Sequence, residues 1–160
     1  MQPSVRALLR AGITTAIVDG LFSSVLVTVF YGSTFARLWQ GVASVLLGPD
    51  AMNGGTRTVL IGLLMHVTVA FWWSTVFIYV VLRLPTIRAV LESRFGVFKV
   101  AAVYGPAIWV AMSFVVIPFL AHRPWPPAIT FRWLVQLVGH FPFVGIPIVG
   151  SVKRAQRPSA

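Results

Sequence analysis

The chain has 160 residues, of which 58% are hydrophobic and only 10% are charged, with a net charge of +10 and no cysteine. A soluble domain carries about 25% charged residues, so this composition excludes an ordinary water-facing surface. The lack of cysteine excludes disulfides, thiolate metal sites and a cysteine nucleophile. The basic residues form no stripe with interleaved aromatic side chains, so the sequence predicts no nucleic-acid partner.

Four long apolar runs dominate the chain, and they predict membrane spans over 7–31, 57–82, 98–120 and 129–152. As a helix, each run is long enough to cross a hydrocarbon core about 30 Å thick. Helices are expected because lipid offers no partners to backbone N–H and C=O groups. The first run is longer than the apolar region of a secretory signal, so we predict an uncleaved span. We expect an all-α fold with a single integral membrane domain over 1–160. It would be a polytopic four-transmembrane-helix bundle whose partner is the lipid bilayer.

A shorter segment, 35–47, lies between the first two spans, and its apolar residues recur at helical spacing. The segment is too short to cross a bilayer. We predict a short interfacial helix, with Trp39 at the level of the lipid headgroups. A re-entrant element that lines a pathway is the alternative.

The basic residues predict the orientation of the spans. Nine of them would lie on one side of the membrane and four on the other. Cytoplasmic segments carry an excess of Lys and Arg, so the asymmetry places the N- and C-termini in the cytoplasm. The larger set is Arg6, Arg10, Arg83, Arg88, Arg94, Lys99, Lys153, Arg154 and Arg157, and the smaller set is Arg37, Arg57, Arg123 and Arg132.

Small residues mark the predicted helix-packing faces. Gly12, Ala16 and Gly20 recur every four residues in the first span, which lets another helix approach closely. Gly62 in the second span and Gly105 in the third are the comparable positions. The stripe in the first span could also pair two copies of the chain, so a homo-oligomer or an unidentified membrane partner stays open.

Polar side chains also lie inside the spans, where lipid would penalise them. At about 1.5 Å per residue, Asp19, His66 and His140 lie about 18, 24 and 18 Å from the cytoplasmic ends of their spans. They are therefore at similar depths. Tyr104 and Gln136 lie on the small or polar faces of the third and fourth spans. The predicted polar cluster consists of Asp19, His66, His140, Tyr104 and Gln136.

Several kinds of chemistry fit this cluster. A carboxyl group and imidazoles can exchange protons near neutral pH, so the cluster could carry protons, bind a cation or hold a polar ligand. One Asp–His hydrogen bond could instead join two helices without any other role. The two histidines also suit a b-type haem, with Gly62 and Gly139 leaving room for a flat ring. Two histidines and one carboxylate are, in addition, a known set of metal ligands.

Motifs that carry enzyme chemistry are missing from the sequence. It has no H-E-x-x-H helix, no G-x-S-x-G elbow and no Walker loop. Asp19 has no second intramembrane aspartate beside it, and the chain contains only three acidic residues. We therefore assign no catalytic residue, no metal and no cofactor. The sequence predicts a non-enzymatic membrane component, with proton- or ion-coupled transport and a haem-binding redox subunit as the alternatives.

The sequence contains the short motifs Gly12-x6-Asp19, Gln40-x2-Ala43-Ser44-x2-Leu47-Gly48, Gly54-Gly55 before Gly62-x3-His66, Val103-Tyr104-Gly105 with Pro118, and His140. Together these motifs resemble small uncharacterised four-span inner-membrane proteins of bacteria. This resemblance covers most of the chain. It implies four helices and a multi-pass location in the bacterial inner (plasma) membrane. It implies no established reaction, substrate or cofactor.

Overall fold

The computed structural model describes residues 3–121 and 125–155, and within them the chain forms helices and no strands. Arg123 and Arg157, which entered the predicted orientation, lie outside the described residues. The helices are α1 (Pro3–Val25), α2 (Phe35–Leu47), α3 (Gly55–Tyr79), α4 (Pro85–Glu92), α5 (Gly96–Ala111), α6 (Ile117–Ala121), α7 (Phe131–His140) and α8 (Ile146–Ala155).

Four helical stretches are long and apolar enough to cross a membrane. They are Val5–Phe30 (span 1), Gly55–Arg83 (span 2), Gly96–Ala121 (span 3) and Phe131–Ala155 (span 4). This confirms the predicted all-helical fold with four such helices. The outer faces of the spans are apolar: Leu21 is 62% exposed, Leu64 67% and Phe119 79%. Large apolar side chains on the outside are what a lipid-facing surface requires.

Three of these spans contain a widened π-helical turn, at Leu26–Phe30, Met112–Val116 and Phe141–Gly145. The turn in span 4 follows His140 directly and contains Pro142. Proline has no N–H to donate to the carbonyl four residues earlier, which disrupts the regular helix. The Ile146 N–H reaches back five residues to the Phe141 carbonyl and closes the wider turn. Such turns occur often at functional sites.

The buried core lies toward the end of the bundle that contains Pro3 and Ala155, which we call the terminal end. Helix α1 packs there against both α3 and α8, and α5 packs against span 4. The largest fully buried side chains are Phe77, Ile148 and Val149.

Small residues lie at points where the helices approach closely. A Cβ on Gly12 would lie 2.7 Å from the ring of Phe71 in α3. A Cβ on Gly105 would overlap the backbone oxygen of His140, so span 3 and span 4 touch at this residue. The stripe of α1 therefore packs against α3 within one chain. It could pair two copies of the chain only by separating these two helices.

Helix α2 has the predicted bounds, and Trp39 is buried inside the bundle. Its side chain is only 2% exposed, because α2 packs against α3. The backbone oxygen of Trp39 occupies the space that a side chain on Gly62 would fill. The chain leaves α2 through Gly48, whose φ of 77° is a conformation that favours glycine. Close packing on Gly62 thus turns the indole toward the bundle interior.

Candidate functional site

Asp19 in α1 and His66 in α3 meet across the contact between these helices. The His66 Nε2 lies 3.0 Å from the Ala16 carbonyl oxygen, and His66 Nδ1 lies 3.8 Å from Asp19 Oδ2. A carbonyl can only accept a hydrogen bond, so Nε2 carries the proton and donates it. Nδ1 is then the ring position that can gain or lose a proton, and it faces the carboxyl group.

His140, at the end of α7, is the third member of this group. Its Nδ1 lies 2.7 Å from the Gln136 carbonyl oxygen, and the side chain is 8% exposed. Nδ1 therefore donates its proton to that carbonyl, which leaves Nε2 as the proton-accepting position. His140 lies within electrostatic range of both Asp19 and His66. Three titratable groups from three different spans are thus brought together.

Helix α1 packs closely against span 4 next to His140. A Cβ on Gly139 would lie 2.5 Å from the Phe22 ring, so α1 touches span 4 one residue before the histidine. The Phe22 ring stacks on Phe143, with centroids 4.1 Å apart. Phe22 follows Asp19 by three residues, which is about one helical turn. The contact between Phe22 and Gly139 therefore lies within about 5 Å of Asp19 along the axis of α1.

Two tryptophan rings cover the imidazoles. The Trp39 ring centroid lies 5.0 Å from that of His66, and the Trp109 centroid lies 4.9 Å from that of His140. Neither tryptophan was predicted from the sequence to contact these histidines. Trp109 lies four residues after Gly105 and therefore on the same helix face, which was the available signal.

Several buried polar atoms of Asp19 and of residues in spans 3 and 4 and α2 lack a hydrogen-bond partner among the described residues. They are Asp19 Oδ1, the indole nitrogens of Trp39, Trp109 and Trp133, and the hydroxyl of Ser113. The Trp133 ring centroid lies 6.3 Å from that of Trp109, which in turn contacts His140. The unpaired indole nitrogens of Trp109 and Trp133 therefore belong to neighbouring rings on one side of His140. Buried polar groups normally have a partner, and exceptions are places where water or a ligand binds.

Two of the predicted cluster residues take other positions. Tyr104 donates its hydroxyl to the Trp73 carbonyl over 2.6 Å and packs beside Phe77, so it belongs to the core near the terminal end. Gln136 contributes its backbone carbonyl, to His140. The contact is made by the Gln136 backbone rather than by the side chain, which the sequence had placed in the polar cluster.

Two observations bear on the metal and haem alternatives. Within residues 3–121 and 125–155, no group of three His, Asp or Glu side chains is placed to hold a metal ion. The space that Gly62 and Gly139 would leave for a flat haem ring is filled by the Trp39 backbone and by the Phe22 ring. The geometry therefore lacks the predicted room for haem, although haem binding itself stays an untested prediction.

The chain matches no protein-family model, no curated protein and no solved structure. The resemblance to bacterial four-span proteins accordingly stays a prediction.

Proposed function

We propose that this protein is a non-enzymatic integral membrane component that binds and transfers protons through the cluster of Asp19, His66 and His140. Two observations support the proposal. The three titratable groups come from three spans yet lie within electrostatic range of one another. In addition, each imidazole has one nitrogen tied to a backbone carbonyl, which leaves one defined position for proton exchange.

The proposed transfer step conserves atoms and charge. A neutral Asp19 carboxyl group gives its proton to Nδ1 of a neutral His66, producing a carboxylate and an imidazolium. The other imidazole proton remains on His66 Nε2 throughout, hydrogen-bonded to the Ala16 carbonyl oxygen. The 3.8 Å between Nδ1 and Oδ2 exceeds a hydrogen bond. The transfer therefore requires a rotation of the Asp19 side chain or one bridging water.

A purely structural role is the competing proposal, and one observation favours it. The hydrogen bond from His66 Nε2 to the Ala16 carbonyl joins α3 to α1. Hydrogen bonds between membrane helices contribute about 0.6–2 kcal/mol each. In that case, the carboxyl group would only help to hold the imidazole in place.

The placement in a membrane is part of the proposal. We propose a multi-pass protein of the bacterial inner membrane, with α2 on the outer side and both chain ends in the cytoplasm. The four apolar spans support the crossing, and the excess of Lys and Arg at the terminal end supports the orientation. A reporter enzyme that works only in the periplasm should stay silent when it is fused to the C-terminus.

The proton proposal is tested in vesicles that contain a pH-sensitive dye. The purified full chain is reconstituted, and a potassium diffusion potential drives proton entry. We expect Asp19→Asn, which keeps the shape but not the acid, to lower the flux by about tenfold or more. The matched control is Asp50→Asn, because Asp50 is exposed and lies between α2 and α3, outside the spans. The control should keep the full flux.

Either of two results would contradict the proton proposal. One is a wild-type flux equal to that of empty vesicles. The other is an Asp19→Asn protein that conducts like the wild type but unfolds more easily, which is the result that the structural role predicts. An absorbance spectrum of the purified protein tests the haem alternative independently, since a bound b-type haem would give a Soret band.

A further inference from the structure

A cavity at the terminal end of span 2 combines basic and apolar walls. Its volume is about 480 Å³, within the usual range for small-molecule sites. The basic wall consists of Arg83 and Arg88, and the apolar wall includes Ile78, Leu82 and Leu91. The cavity lies where span 2 turns into α4, well away from the cluster around Asp19.

Among the described residues, no carboxylate lies within ion-pair distance of the two guanidinium groups in this cavity. Glu92 lines the cavity and follows Arg88 by one helical turn, so the two could form a pair. Glu92 is instead paired with Lys153 of α8. The chain has only three acidic residues, and the other two, Asp19 and Asp50, lie elsewhere. The cavity thus keeps an excess of positive charge that the chain itself does not neutralise.

One of these guanidinium groups is held in place by the backbone. Arg88 Nε donates a hydrogen bond to the Leu82 carbonyl over 2.7 Å. This bond fixes the plane of the guanidinium, and its terminal nitrogens remain to bind an oxyanion. Arginine is well suited to phosphate because its planar donors can pair with two oxygens at once.

The apolar wall lies on the membrane side of the basic one. Arg83 is the last residue of span 2, and Ile78 precedes it by about 8 Å along the helix at 1.5 Å per residue. If the span crosses a bilayer, Arg83 reaches the headgroups while Ile78 and Leu82 lie beside the first part of an acyl chain. A ligand that matches both walls has a phosphate at one end and a hydrocarbon chain at the other.

We infer that this cavity binds the phosphate of an anionic phospholipid, with an acyl chain along Ile78 and Leu82. Basic pockets on the cytoplasmic side of membrane proteins bind such headgroups. The inference rests on the membrane placement in the proposed function and is independent of the proton chemistry. A free phosphate ion presents the same oxyanion as the headgroup of a phospholipid. The test distinguishes these two ligands.

The test is a titration of the full chain in neutral detergent with phosphatidylglycerol and, separately, with zwitterionic phosphatidylcholine, followed by native mass spectrometry. The variant Arg83→Gln/Arg88→Gln should bind phosphatidylglycerol at least about tenfold more weakly than the wild type. Binding of phosphatidylcholine should be weaker than that of phosphatidylglycerol in the wild type and unchanged in the variant.

The matched control is Arg94→Gln/Lys99→Gln, which removes the same charge at the same end of the bundle. Both side chains are exposed and neither lines the cavity. The control should keep the wild-type affinity within about twofold. An equal loss in both variants would mean non-specific attraction and would overturn the inference, as would no loss in either.

Inorganic phosphate at millimolar concentration distinguishes the source of the oxyanion. It should fail to displace phosphatidylglycerol, because it makes no contact with the apolar wall. Complete displacement would identify a site for free phosphate and overturn the lipid assignment. Extraction of membranes with alkaline carbonate separates the two proposals: a protein released from the membrane contradicts the proposed placement, whereas a retained protein without lipid selectivity contradicts only this inference.

Discussion

The core at the terminal end and the cluster around Asp19 are built from the same helices, but they treat buried polar groups differently. In the core, Tyr104 and Ser74 donate their hydroxyls to backbone carbonyls, although the Trp73 indole N–H lacks a partner among the described residues. In the cluster, Asp19 Oδ1 and the Trp39 indole N–H lack one, as do other polar atoms around His140.

This difference distinguishes residues that stabilise the fold from residues at a candidate functional site. A satisfied hydroxyl in an apolar core contributes to stability, while an unpaired carboxyl oxygen lowers it by about 1–3 kcal/mol. A chain that keeps an unfavourable group at the contact of three spans tolerates that cost, which is typical of functional sites. The proposed proton site lies where several buried polar atoms lack a hydrogen-bond partner among the described residues.

The largest expected effect comes from Gly105, which joins the two regions. In Gly105→Ala, the new Cβ would overlap the His140 backbone oxygen, and neither helix backbone can move away easily. We expect a loss of about 3 kcal/mol in the free energy of unfolding. Reversible unfolding in mixed detergent and SDS micelles measures it.

The control for this prediction is Gly41→Ala in α2, where nothing lies within 4 Å of an added Cβ. That variant should be neutral or more stable by about 0.5–1 kcal/mol, because alanine favours a helix. Equal effects of the two substitutions would show that spans 3 and 4 do not touch at Gly105.

Asp19→Leu should change stability and proton flux in opposite directions. Removal of a buried, incompletely paired carboxyl group should raise the free energy of unfolding by about 1–3 kcal/mol. The vesicle flux should fall to the background level. Ile17→Leu, at a position that is 57% exposed on the same helix, is the control and should change neither quantity. A less stable Asp19→Leu protein would favour the structural role of the cluster.

Tyr104→Phe probes the core with a smaller change. It removes the hydroxyl that donates to the Trp73 carbonyl, so the free energy of unfolding should fall by about 1 kcal/mol. The proton flux should stay at the wild-type level, because Tyr104 lies outside the cluster. A lowered flux in a stably folded variant would show that the two regions are coupled.

The smallest effect is expected from Lys153→Gln, which breaks the exposed ion pair with Glu92. Surface ion pairs contribute little, so the free energy of unfolding should change by less than about 1 kcal/mol. The released Glu92 can then pair with Arg88, four residues earlier, and phosphatidylglycerol should bind about twofold more weakly. Unchanged lipid binding would show that Glu92 does not regulate the charge of the cavity.

Much of this architecture follows from the order of residues along the chain. The lengths of the apolar runs predicted four spanning helices, and apolar spacing predicted α2 with the bounds that the structure has. The fixed rise of a helix placed Asp19, His66 and His140 at similar depths, and the structure brings them together. Gly12 and Gly105, which the sequence marked as helix-packing positions, lie at close contacts between helices.

Sequence reasoning did not predict how each helix is rotated or which helices are neighbours. Both the lipid-facing and the core-facing sides of a span are apolar, so periodicity gives little information about rotation. Contacts between helices therefore placed Tyr104 on the Trp73 carbonyl, away from the cluster, and turned Trp39 inward over His66. These contacts join residues far apart in the chain, and only the packing of the assembled bundle determines them.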